Sequence, residues 1–178
     1  MYKRQYLNTQ IGNQKTALDC FFYVLKLGED KGDSTLVSQA YNDIAMAYME
    51  FREYEKALYY IENSLQISRS QNDLKSISLT LNNYGLVFLY LENYEKASEV
   101  FNEALMLKEN FFEEETDPDE KYYLEIDIAM LESNLGLVYK YQNQFQNAID
   151  ITKKAELIFK KLGLDFYLIQ SYTTLSEL

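Results

Sequence analysis

The chain has 178 residues, 47% hydrophobic and 25% charged, with 28 Asp and Glu against 17 Lys and Arg for a formal net charge of −11. Such a mixture suits one globular domain over residues 1–178, and the acidity excludes nucleic acid and anionic membrane as partners, since their phosphates require a cationic surface. The absence of His and the single Cys exclude Ser-His-Asp and Cys-His catalysis and zinc sites built on those residues.

Six Gly and one Pro interrupt the chain rarely, and β-branched residues alternate with polar ones over no convincing stretch. The expectation is an all-α chain of about nine helices in antiparallel pairs, without a sheet. Residues 1–33 are read as a first pair, turning at Gly12-Asn13 into a helix that carries Ala17 and Phe21. Cys20, beside Phe21 and Phe22, reads as a buried, inert thiol, and a lone Cys fits a reducing compartment. Gly28 and Gly32 fall in a helix–helix turn that follows no strand, so they are not a phosphate loop.

Residues 34–73 form the second pair and 74–120 the third, which ends in the segment 112–120 holding six acids and the only Pro. Pro118 suits the first turn of a new helix with Thr116 or Asp117 as its cap, so the insertion lengthens the flanking helices and their loop. The segment lacks the alternating oxygen ligands and central Gly of an EF-hand. It is a solvated loop or a docking surface for a basic partner. Residues 121–164 are the fourth pair, and 165–178 begin a fifth. There Phe166, Leu168, Ile169, Tyr172 and Leu175 lack a capping helix, which predicts a homodimer through the C-terminal helix. No apolar run approaches the roughly 20 residues of a bilayer span. Met1-Tyr2-Lys3-Arg4 leads into polar residues instead of a signal segment. A cytoplasmic location follows, and the ends of the chain read as cuts in a longer protein.

The pairs repeat. Ala17, Ala57, Ala97 and Ala148 recur at intervals of 40, 40 and 51 residues, and Ile44, Tyr84, Leu135 and Leu175 at 40, 51 and 40. Both landmarks place 11 extra residues in the same link. Tyr54-Glu55-Lys56-Ala57 and Tyr94-Glu95-Lys96-Ala97 are identical. Ile44-Ala45, Tyr84-Gly85 and Leu135-Gly136 precede the aromatics Tyr48, Phe88 and Tyr139, and a second aromatic follows at Tyr54, Tyr94 and Phe145. This pattern resembles the tetratricopeptide repeat, in which a large residue of one helix interlocks with a small one of its neighbour. Gly85 and Ala97 match the small slots, and Phe88, Tyr94 and Phe101 the large ones. In the fourth unit Thr152 replaces the expected aromatic, with Ile151 beside it, which predicts a slight rotation of the packing. In the first unit Arg4 and Gln5 stand where the others have an apolar-small pair.

The resemblance implies a right-handed superhelical solenoid whose concave face, lined by the first helix of each unit, holds an extended peptide. Helical spacing sets Leu81, Tyr84, Gly85 and Phe88 inside the stack and leaves Asn82, Asn83, Leu86, Leu89 and Tyr90 on the adjacent face. A polar ladder follows at Asp43, Asn83, Asn134 and Thr174, flanked by Asn42, Asn82, Ser133 and Thr173. An Asn amide donates and accepts, so these side chains pair with a peptide backbone or with a neighbouring helix or water. Similar asparagines line the peptide grooves of kinesin light chains and of bacterial Rap-type pheromone receptors. The candidate groove is Gln39, Asn42, Asp43 and Met46 from the second unit, Asn82, Asn83, Leu86, Leu89 and Tyr90 from the third, and Ser133, Asn134, Leu137 and Tyr141 from the fourth. Carboxylate clamps of the co-chaperone type need cations at Gln39, Asn42, Asn82, Met130 and Ser133, and only Lys140 is cationic nearby.

These features predict a non-catalytic scaffold for a peptide or protein segment, without cofactor or metal. The alternative is a sensory or regulatory segment of a larger bacterial signalling protein, such as a histidine kinase, a transcription regulator or a Rap-like receptor. A basic partner suits the net charge, which otherwise serves to keep a helical surface soluble.

Overall fold

The computed structural model describes the backbone of residues 2–177 and the side chains of residues 15–169 and 171–177. Among the described residues eight helices follow one another and no strand occurs: α1 (Tyr2–Lys31), α2 (Ser34–Glu50), α3 (Tyr54–Ser70), α4 (Leu74–Tyr90), α5 (Tyr94–Glu114), α6 (Pro118–Tyr141), α7 (Phe145–Leu162) and α8 (Asp165–Ser176). The ninth expected helix is missing because α1 runs unbroken through Gly12 and Asn13. One glycine costs a helix about 1 kcal/mol, too little to end it where no proline adds its clash. Cys20 changes with it. Leu18, Phe21, Phe22 and Leu25 gather against Ala40 and Ile44 of α2, and with no hairpin partner folded back on α1 the thiol is exposed instead of buried.

One turn recurs along the chain. Gly32, Arg52, Asn72, Glu92, Asn143 and Gly163 all have positive φ, between 55° and 69°. After each, the next N–H reaches back to the carbonyl five residues earlier, from Asp33 to Gly28, Glu53 to Tyr48, Asp73 to Ser68, Asn93 to Phe88, Gln144 to Tyr139 and Leu164 to Phe159, at 2.8–3.0 Å. This left-handed cap satisfies the orphan carbonyls of the ending helix. The following helix is then capped by a side chain in several links: Asp33 accepts from the Leu36 N–H at 3.0 Å, and Asp73 accepts from Ser76 N–H at 3.1 Å and its hydroxyl at 2.7 Å. Those bonds hold the Asp73 carboxyl below its ordinary pKa.

By its contacts the chain divides into two compact units, residues 1–83 and 84–178, with the division inside α4. In the first unit α2 and α3 are antiparallel. Ser38 near the start of α2 meets Ser68 near the end of α3 with 2.7 Å between hydroxyls, while Tyr48 near the end of α2 stacks on Tyr60 at 5.4 Å and lies under Lys56 of the first turn of α3. The core is Leu25, Ala40 and Ile44, packed by Phe22, Tyr41, Tyr48 and Tyr60. Burial of each large side chain contributes about 1.5–3 kcal/mol.

In the second unit Phe101 covers Gly85 so closely that a Cβ there would lie 2.5 Å from the ring. Ion pairs join neighbouring helices, Lys108 to Asp127 between α5 and α6 and Lys161 to Glu125 between α7 and α6, each at 2.6 Å. Helix α8 lays Tyr167 on Phe159 of α7, ring centroids 5.1 Å apart. The insertion lengthens two helices: α5 has 21 residues and α6 has 24, against 17 in each of α2, α3 and α4. Pro118 opens α6, and Asp117 caps it by accepting from the N–H groups of Asp119 at 2.8 Å and Glu120 at 3.2 Å. No described helix is long and apolar enough to cross a membrane.

Candidate functional site

Within the first unit a cavity of about 240 Å³ opens between α2 and α4, lined by Ser38, Gln39, Asn42 and Asp43 from α2, Ser64 from α3, and Ser76, Leu79 and Thr80 from α4. Three of the groove residues expected from sequence, Gln39, Asn42 and Asp43, meet here. Its floor is a chain of buried hydroxyls: Ser38 Oγ lies 3.1 Å from Ser64 Oγ, which lies 3.3 Å from Thr80 Oγ1. Hydroxyls that satisfy one another can be buried at little cost and leave a smooth, uncharged floor. At the rim, Gln39 and Asp43 are exposed, and Leu79 is an exposed apolar side chain. Partial burial pushes the Asp43 carboxyl above its ordinary pKa, and no cation of the described residues offsets that. Met46, also exposed, continues the stripe of Gln39 and Asp43 at helical spacing along α2.

The asparagines divide between the two roles open to them. Asn83 and Asn42 are both buried, and the Asn83 Nδ2 donates to Asn42 Oδ1 at 3.0 Å. That amide group of Asn83 is committed to tying α4 to α2. Asn82 and Asn134 are half-buried and have partners within the chain. Leu89 and Ser133 are buried and serve packing; Leu86 and Leu137 are half-buried. Tyr90 is exposed. Tyr141, though half exposed, stacks on Tyr94 of α5 with centroids 5.0 Å apart. Lys140, the cation nearest the groove positions, is paired with Glu177 of α8. On α8, Leu168 packs against Ala129, Ala155 and Phe159, so Phe166, Ile169 and Tyr172 are the exposed part of that face.

A wider depression of about 880 Å³ in the second unit lies at helix ends, bordered by Glu92, Tyr94, Glu95, Ser98 and Gln142 among others. Gln142 Nε2 bridges it by donating to the Tyr94 carbonyl at 3.0 Å. Among the described residues no group of three acidic or Cys side chains could hold a metal ion. Sequence reasoning missed Leu79, Thr80 and Ser76 as cavity residues; their register one turn (Leu79, Thr80) and two turns (Ser76) ahead of Asn83 on the same helix was the available signal.

A family model described as tetratricopeptide repeat matches residues 36–110. Similar solved structures include BtubC (BKLC) from P. vanneervenii, 22% identical over 89% of this chain and 61% of that one, with a TM-score of 0.73. Another is a putative kinesin light chain with nearly identical TPR-like repeats from Podosopora anserina, 14% identical over 98% of this chain and 83% of that one, with a TM-score of 0.67. A point-substituted form of that protein is 15% identical over the same shares, with a TM-score of 0.68. At these identities the likeness shows a shared all-α fold of repeated helix hairpins, and the chain spans 61% of the BtubC length. No curated protein matches the sequence.

Proposed function

We propose that this chain, a tetratricopeptide-repeat protein, holds an extended segment of a basic protein partner across the cleft between α2 and α4. Repeats of this family generally mediate protein–protein interaction, and their members are typically scaffolds without catalysis. The observation that carries the reading is the meeting of Gln39, Asn42 and Asp43 around one cavity whose rim carboxylate has no cation of its own. Asp43 accepts from a Lys, an Arg or a backbone N–H of the segment, Gln39 both donates and accepts, and Leu79 and Met46 support apolar side chains of the segment. A charge-assisted bond to the rim carboxylate is stronger than a neutral one. The net charge of −11 draws a basic segment in.

The test is selection of binders from a random peptide library on the whole chain, with the Asp43→Lys variant in parallel. The expected outcome is enrichment of Lys and Arg on the wild type, and at least a tenfold loss of affinity for those peptides on the variant, about 1.4 kcal/mol or more. Equal binding to both proteins overturns the assignment of the cleft.

A further inference from the structure

In the second unit the repeat departs from its own pattern at two buried positions. The residue three before the landmark Tyr84 is Leu81, and its counterpart before Leu135 is Glu132; the residue four after Ala97 is Phe101, and its counterpart after Ala148 is Thr152. Leu81, Phe101 and Thr152 are fully buried and Glu132 is 6% exposed. Neither polar replacement is fully satisfied: Glu132 Oε2 and Thr152 Oγ1 have no hydrogen-bond partner. Thr152 is seated against α6, where a Cβ on Gly136 would come within 2.1 Å of its Oγ1. Two positions that are apolar in one repeat are thus polar and incompletely paired in the next.

A buried carboxylate without a partner is costly, and a buried carboxylic acid much less so. We propose that the hairpin of α6 and α7 is a proton-sensitive element, packed with Glu132 neutral and loosened when that carboxyl ionises. The charged groups around Glu132 fit this. From α5 comes Glu109, which opposes a second negative charge, and from α7 comes Lys154, which favours one. Helix α8 packs near Ala129 of α6 through Leu168, and Glu177 at its C-terminal cap is taken up by Lys140. Burial is the largest influence and, opposed by Lys154 and aided by Glu109, lifts the carboxyl to a pKa of about 7 from 4.5. The folded form therefore holds a proton that the unfolded chain has released. Stability contributed by this site is full below about 4.5 and is lost as the pH rises through about 7. Glu132 adjoins Ser133 and Asn134 on α6, so loosening here moves one of the first helices of the repeats.

The experiment follows amide hydrogen exchange of α6 and α7 in the whole chain between pH 5.5 and 8, corrected for the intrinsic pH dependence of exchange. It is paired with a carboxyl carbon NMR titration of Glu132. Expected are a carboxyl midpoint near 7 and a loss of protection of about 30-fold in α6 and α7 between those two pH values, the part of the linked effect of such a shift that falls in this range. Glu132→Gln and Glu132→Leu abolish the pH dependence in those helices, while the general response of the other acidic residues persists in α2 and α3. A wild-type Glu132 midpoint near 4.5 overturns the proposal without any variant. So does a loss of protection in α6 and α7 that both variants retain.

Discussion

The two units differ in how far their buried polar side chains are satisfied. In the first, Asn83 donates to Asn42, and Ser38, Ser64, Ser68 and Thr80 bond to one another across three helices; Ser78 alone of its described buried hydroxyls lacks a partner. In the second, Glu132 and Thr152 are left unpaired in the hairpin of α6 and α7. A paired polar group sets the register between helices at almost no net cost, whereas an unpaired one stores free energy that a proton, or a small change of packing, releases. That difference suits the binding surface proposed for the first unit and the response proposed for the second.

Three variants test that contrast. Asn83→Ala leaves the buried Asn42 amide without its partner and is expected to lower stability by about 1–3 kcal/mol, measured by denaturant unfolding. Replacing both, with Asn42→Leu and Asn83→Leu together, is expected to be much milder than the single change. Thr152→Val works in the opposite direction, removing an unpaired hydroxyl at constant shape, and is expected to raise stability by up to about 1 kcal/mol. A loss there would mean that Thr152 is satisfied after all, and the contrast between units would collapse. The smallest effect concerns what the units share. Arg52 and Glu92 occupy the same left-handed turn, so Arg52→Gly and Glu92→Gly are each expected to add about 0.5 kcal/mol in thermal unfolding, and by similar amounts.

Most of the helix pairing was legible in the sequence because interlocking demands a small residue opposite a large one at fixed spacing, as at Gly85 and Phe101. Glu132 and Thr152 were legible as departures from that spacing; their lack of partners was not. The turns were harder to read, since nothing in Arg52 or Glu92 announces a positive φ, and only their common register does. Gly12-Asn13 misled for the converse reason: turn-forming residues bend a chain only when a packing partner waits beyond the turn. The exposure of Cys20 followed from that same error. Within the site, Gln39 and Asp43 came from their position on the lining helix. The pairing of Asn42 with Asn83 was open in the sequence because an amide serves a neighbouring helix as well as a peptide.

The most direct test is a set of intermolecular nuclear Overhauser effects from a selected basic peptide bound to the whole, isotope-labelled chain. Contacts to the methyl groups of Leu79 and Met46, with shifts at the Gln39 side-chain amide, are the result expected. Contacts confined to other surfaces, such as Phe166 and Ile169 of α8, with Leu79 and Met46 unperturbed, would contradict binding in the cleft between α2 and α4.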